Sequence, residues 1–301
     1  MENKDNIMNN EKSKEIKELI EKVNKSGISS IKEVIVQLVG VINDPKSSAK
    51  DLQKIIERDP PLSSKLLKHA NSAYYGFRKK ISGIQEAIVG IGFNALKELA
   101  LNQKLCELFQ KDDRYDGYSR NTLWKHSVAV ALCNKLIYMR EFSEIGENVY
   151  AAGLLHNIGI IVEDQFLQGK FREALSESEK NNQNLFDAEN RIMGFNHAEI
   201  GMTMAENWNF PDDLVMAIGC HHDPERADDK FKKITSTLYI SDYACQVNNI
   251  GYIDAPYMNE LLYKKFLNKL KIKEEAIDII IEDVQEEIEN MGKSGWFHDE
   301  K

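Results

Sequence analysis

The run Asp59-Pro60-Pro61-Leu62-Ser63-Ser64-Lys65-Leu66-Leu67-Lys68-His69-Ala70-Asn71-Ser72-Ala73-Tyr74-Tyr75-Gly76 decides the fold class. Asp59 carries the short acceptor side chain that closes the open N–H groups of a first helical turn. The proline directly after it sits where its missing N–H costs nothing. Leu62, Leu66, Leu67 and Ala70 then recur at three- and four-residue spacing, which is one face of a helix. Asn71 and Ser72 follow, and their side chains suit a helix end or the start of a turn. Tyr74 and Tyr75 add packing surface with a polar tip.

Helical spacing extends upstream and downstream of this run. Ile16, Leu19, Ile20 and Val23, then Val34, Ile35, Leu38 and Val39, predict two helices broken at Gly27, with Ser29 and Ser30 placed to cap the second. Asn43-Asp44-Pro45 closes that helix, and Ser47-Ser48 can cap one carrying Leu52, Ile55 and Ile56. Further helices are expected from Ile84 to Gly90 or Gly92 and from Ala95 to Phe109. The polar stretch Lys111–Ser119 reads as a linker or hinge. Beyond it the spacing predicts Leu123–Met139, Asn148–Val162, Phe166–Lys180, Asp187–Met193, His197–Asn207, Asp212–Cys220 and Lys233–Val247, then two amphipathic helices over Asn259–Asn290. Strand-like alternation is absent, and only 6 prolines and 17 glycines interrupt 301 residues. The expected fold class is therefore all-α. A smaller helical subdomain at 16–110 precedes a multi-helical domain at 120–250, and amphipathic helices at 255–295 pack on that domain. Residues 1–15 are polar and expected to be disordered or frayed.

Composition narrows the function. Hydrophobic residues make up 42% of the chain, enough for a sizeable core, and the net charge is −9. An acidic chain argues against a nucleic-acid or anionic-membrane partner, because phosphates need clustered Lys and Arg. The N-terminal residues lack the apolar stretch of a signal peptide, and no run approaches the roughly 18 apolar residues of a membrane span. Cys106, Cys133, Cys220 and Cys245 are widely spaced with no C-x-x-C pair, as expected of reduced thiols. A cytoplasmic protein is the expectation.

The second half concentrates histidine. His126 follows Trp124-Lys125; His156 and Asn157 close Gly153-Leu154-Leu155; His197 opens His-Ala-Glu-Ile-Gly; His221-His222 precede Asp223-Pro224; and Asp242 follows Tyr239-Ile240-Ser241. Five of the seven histidines fall in these spots. Taken singly, each also fits a core or helix-end histidine with a hydrogen-bond partner.

The run from Asp59 to Gly76, with Ile84-Gln85-Glu86-Ala87-Ile88-Val89-Gly90-Ile91-Gly92, resembles the HDOD domain, an all-helical family related to the HD superfamily and found in bacterial signalling and regulatory proteins. The resemblance runs, more loosely, from about Ser30 to Val247. The order of histidines is similar to that of HD-type metal phosphohydrolases, most of all the two-metal branch acting on cyclic dinucleotides. That similarity implies one metal held by His126, His156, Asn157 and Asp242, and a second held by His197, His221, His222 and Asn157. Histidine-rich donor sets favour Fe, Ni, Mn or Zn.

Three departures weigh against hydrolysis. Position 157, where a bridging carboxylate is expected, is an amide, which removes a full negative charge between two cations. After His221-His222 the chain reads Asp223-Pro224-Glu225-Arg226 rather than Gly-Tyr-Pro. Asp242 is followed by Tyr243-Ala244-Cys245-Gln246, without a basic residue. The resemblance thus implies a signalling or regulatory protein that is non-catalytic, holds at most one transition metal ion, and acts through contacts with signalling proteins or a second copy of itself. The alternatives are a metal-dependent phosphohydrolase and a metal-loaded sensor. No catalytic residue and no other cofactor is assigned.

Overall fold

The helix over Arg120–Glu141 is apolar on nearly every side. Leu123, Trp124, Val128, Ala129, Val130, Ala131, Cys133 and Ile137 are all buried. A helix of this kind belongs at the centre of a bundle, and the computed structural model places it there. The structure describes residues 2–72, 74–110, 114–115, 117–252, 259–294 and 296–297, with side chains from Lys12 onward apart from those of residues 29, 30, 114 and 147.

The elements in chain order are α1 (Glu2–Asn24), α2 (Ile28–Asn43), α3 (Ala49–Glu57), α4 (Pro60–Ala70), α5 (Ile84–Ile91) and α6 (Phe93–Leu105), the last tightening into a 3₁₀ turn at Cys106–Phe109. A short antiparallel pair, β1 (Arg114–Tyr115) and β2 (Tyr118–Ser119), leads into α7 (Arg120–Glu141). Then come α8 (Glu147–Leu155), α9 (Ile158–Phe166), α10 (Gln168–Asn181), α11 (Leu185–Met193), α12 (His197–Asn207), α13 (Asp212–Gly219), α14 (Lys232–Val247), α15 (Glu260–Leu270) and α16 (Glu274–Lys293). The fold is all-α. Around α7 pack α8, α14 and α16, while α12 is sandwiched by α9, α13 and α1. The early helices α2–α6 form a second cluster that reaches the first through α2 and α6 against α8. Each buried Leu or Ile along these faces contributes about 1.5–3 kcal/mol.

Asp59 caps α4 as expected, its Oδ1 accepting from the Leu62 N–H at 3.0 Å with Pro60 and Pro61 in the first turn. Ser48 and Asp51 form a reciprocal capping box on α3. Four expectations need correction. The frayed start over residues 1–15 is helical from Glu2 onward. Ile16, Leu19, Ile20 and Val23 are buried and anchor α1, and a polar stretch free of Pro and Gly propagates a helix already nucleated. Ser29 and Ser30 lie inside α2 rather than capping it; the Ile28 N–H reaches back to the Ser26 hydroxyl at 3.2 Å. The linker over 111–119 contains the β1–β2 pair, with Tyr118 buried; residues 111–113 and 116 lie outside the described residues. Finally, the single helix expected over Asn148–Val162 is two helices, α8 and α9, broken at His156 and Asn157.

Candidate metal centre

That break positions the site. His156 ends α8 and its Nδ1 lies 2.7 Å from the Gly153 carbonyl, three residues back. His221 follows α13 with the same device, its Nδ1 2.6 Å from the Ile218 carbonyl. His197 opens α12; its backbone N–H and its Nδ1 both donate to Glu189 Oε2 of α11, at 2.9 and 2.7 Å. His126, on α7, directs Nδ1 to the Ile250 carbonyl at 3.2 Å. Two glycines permit the approach of these helices. A Cβ on Gly159 would lie 1.9 Å from the His197 carbonyl oxygen, and one on Gly153 would lie 2.4 Å from the Ala131 Cα.

The side chains gather into two adjoining groups. In one, ligand-type atoms of His197, His221 and His222 all lie within 4.8 Å of one another; in the other, those of His126, His156 and Asp242 do the same. The His156 and His221 rings join the groups at 5.2 Å between centroids. His156, His197 and His221 are fully buried, His126 and Asp242 are 1% exposed, and His222 is half-buried. Asn157 is buried beside them, and its Oδ1 has no hydrogen-bond partner.

The hydrogen bonds fix which nitrogens can bind a cation. A carbonyl or carboxylate only accepts, so the Nδ1 atoms of His126, His156, His197 and His221 carry the protons. In the neutral rings each Nε2 is then a lone pair. His197 Nε2 faces His222 Nε2 at 2.8 Å and His221 Nε2 at 3.3 Å. A proton on His222 satisfies one of these contacts and leaves the His197–His221 pair facing lone pair to lone pair. A cation bound by all three satisfies both. Metal–nitrogen bonds of about 2.0–2.1 Å set two ligands of one ion roughly 3 Å apart, and the observed separations bracket that spacing. The donor set fits a transition metal ion.

The second group is differently balanced. His126 Nε2 lies 2.9 Å from Asp242 Oδ1, which also accepts from Gln246 at 2.9 Å. That His126–Asp242 contact is at hydrogen-bonding distance, so it can close without a metal. Burial opposes ionisation of Asp242, but the His126 hydrogen bond and the neighbouring imidazoles hold its carboxyl well below the usual range. Burial pushes His156 down to about 4 and His222 to about 3, so these rings are neutral and available as donors at pH 7.

Glu163 of α9 and Glu189 of α11, which no motif in the sequence marks, back the site. Both are fully buried, and a third cluster of potential donors joins them to His197. Burial and the neighbouring Glu189 raise the Glu163 carboxyl well above its ordinary range. The available signal was Glu163-Asp164 lying directly behind the apolar run Ile158–Val162. Asp164 is spent elsewhere, paired with buried Arg120.

The HDOD domain family matches residues 28–224. A Treponema pallidum protein of uncharacterised function is 24% identical over 244 residues, 80% of this chain; those residues span only 45% of that protein's length. A solved HDOD domain protein of unknown function from Geobacter sulfurreducens superposes with a TM-score of 0.74 at 24% identity, covering 88% of this chain and 92% of the other. A presumptive signal transduction protein from Marinobacter aquaeolei gives 0.71 at 20% identity, covering 88% of this chain and 58% of its own.

Proposed function

The chain belongs to the HDOD domain family, and from that premise we propose that it is a regulatory protein that acts by contact with signalling partners and keeps one transition metal ion on His197, His221 and His222 without hydrolysing a substrate. The carrying observation is the burial of the donors around a neutral residue. Five of the six donor side chains are at most 1% exposed, and Asn157, buried next to His156 in the chain, is an amide at the position where the HD-type pattern expects a bridging carboxylate. Two-metal hydrolysis needs a charged bridge and a metal-bound hydroxide, and an amide at position 157 does not supply that bridge. A bound ion would supply cross-linking of α12 to the segment after α13. Glu189 would orient His197 from behind and raise its basicity.

Contact with a partner falls to the exposed face at Tyr74, Phe77 and Val89, which are 48%, 37% and 82% exposed. Arg78, Lys79 and Lys80 flank it, a local basic run on an acidic chain that suits an acidic protein surface.

The test is an assay of the purified protein with cyclic dinucleotides and a generic phosphodiester, with added Mn or Fe. No turnover above buffer is expected. Clear turnover by the unmodified protein would restore the phosphohydrolase reading.

A further inference from the structure

Ser72, Tyr74 and Tyr75, none of them near the histidine clusters in sequence, wall a cavity of about 240 Å³ between α6, α7, α8 and α16. None of the site histidines lines it. At its wall Asn102, 4% exposed, donates from Nδ2 to the Tyr150 hydroxyl at 2.7 Å. That bond leaves the Asn102 Oδ1 buried with no partner. It also leaves the Tyr150 O–H free to donate onward, since its oxygen is the acceptor in the pair; burial pushes this phenol above its ordinary range, so it keeps its proton. An unmet acceptor and a free donor thus stand side by side at the wall of this pocket, a pairing that native interiors seldom leave unmet. Tyr75, Leu99, Leu132 and Met291 supply aromatic and aliphatic walls. The cation at the wall, Lys135, is paired with Glu98 at 2.7 Å, and Glu287 accepts from Tyr74 at 2.7 Å.

We propose that this cavity binds a neutral planar nitrogen heterocycle of nucleobase size, its donor–acceptor edge read by Asn102 and Tyr150 and its face packed on Tyr75. A purine or pyrimidine presents adjacent ring N–H or amino donors and carbonyl or ring-nitrogen acceptors on one edge. Its flat body suits the aromatic wall. With Lys135 already paired, a phosphate has no cation to meet, so the base alone is the ligand class rather than the nucleotide. The inference does not depend on the metal.

Calorimetric titration of the full chain with adenine, hypoxanthine, cytosine and uracil tests it, with and without prior chelation. At least one base should bind with a Kd below about 1 mM, unchanged by chelation. Tyr75→Ala and Asn102→Leu should each weaken it by about tenfold or more, with folding of each variant checked by its melting temperature. Tyr75 is only partly buried, so its variant keeps the test open if Asn102→Leu fails to fold. No heat from any base, or wild-type affinity in a folded Tyr75→Ala protein, would overturn the proposal and leave the cavity to ordered water.

Discussion

At position 157 an amide and a carboxylate have nearly the same shape but differ by one charge. That difference sets how many cations the surrounding imidazoles can hold. Asn157→Asp should raise bound transition metal from about one toward two per chain, read by elemental analysis; unchanged stoichiometry would place residue 157 outside the coordination sphere. Glu189→Gln keeps the volume but removes the carboxylate behind His197 Nδ1, and should weaken metal affinity by about 10–100-fold in a chelator competition. The histidines were legible in the sequence because polar rings stand out beside apolar runs such as residues 151–155, which lead into His156. Glu163 and Glu189 were not, because their meeting with His197 is made by α9 and α11 converging on α12 across 34 residues of chain, and no spacing rule encodes that approach.

The elements were mostly legible for the same local reason: caps and periodicity act over one or two turns. Asp59 is the clearest case, and Asp59→Ala should cost about 1–2 kcal/mol in urea unfolding, since it removes the Leu62 cap and the partner of Lys104 at 2.7 Å. The split of Asn148–Val162 was hidden because the apolar run continues through the break. What interrupts the helix is one local bond and one tertiary contact: the His156 ring bonds back to Gly153, three residues away, and Gly159 must press against the His197 backbone. Gly159→Ala should therefore destabilise the fold by about 1–3 kcal/mol and displace α12, lowering metal content together with the midpoint of unfolding. A variant as stable as wild type would mean that the contact yields without strain.

Across the whole molecule, the buried imidazoles tie stability to pH. His156 falls from the ordinary 6.5 to about 4 because burial disfavours its charged form. The unfolded chain then binds a proton that the folded chain refuses between those values. Stability is complete above about pH 6.5 and declines as pH falls toward 4, by about 3 kcal/mol from His156 alone. His221 and His222 shift the same way. Urea midpoints measured across this range should fall steadily with acid, and a flat profile would mean that these rings are not buried neutral. Protonation also competes with the metal, so ion release should track the same window. The number of ions the folded chain carries separates a one-metal regulatory site from a two-metal hydrolase and from an empty cluster. Elemental analysis of protein purified without chelator or added metal measures that most directly. The expected result is about one transition metal ion per chain, lost on combined replacement of His197 and His221; two ions per chain, or none, would contradict it.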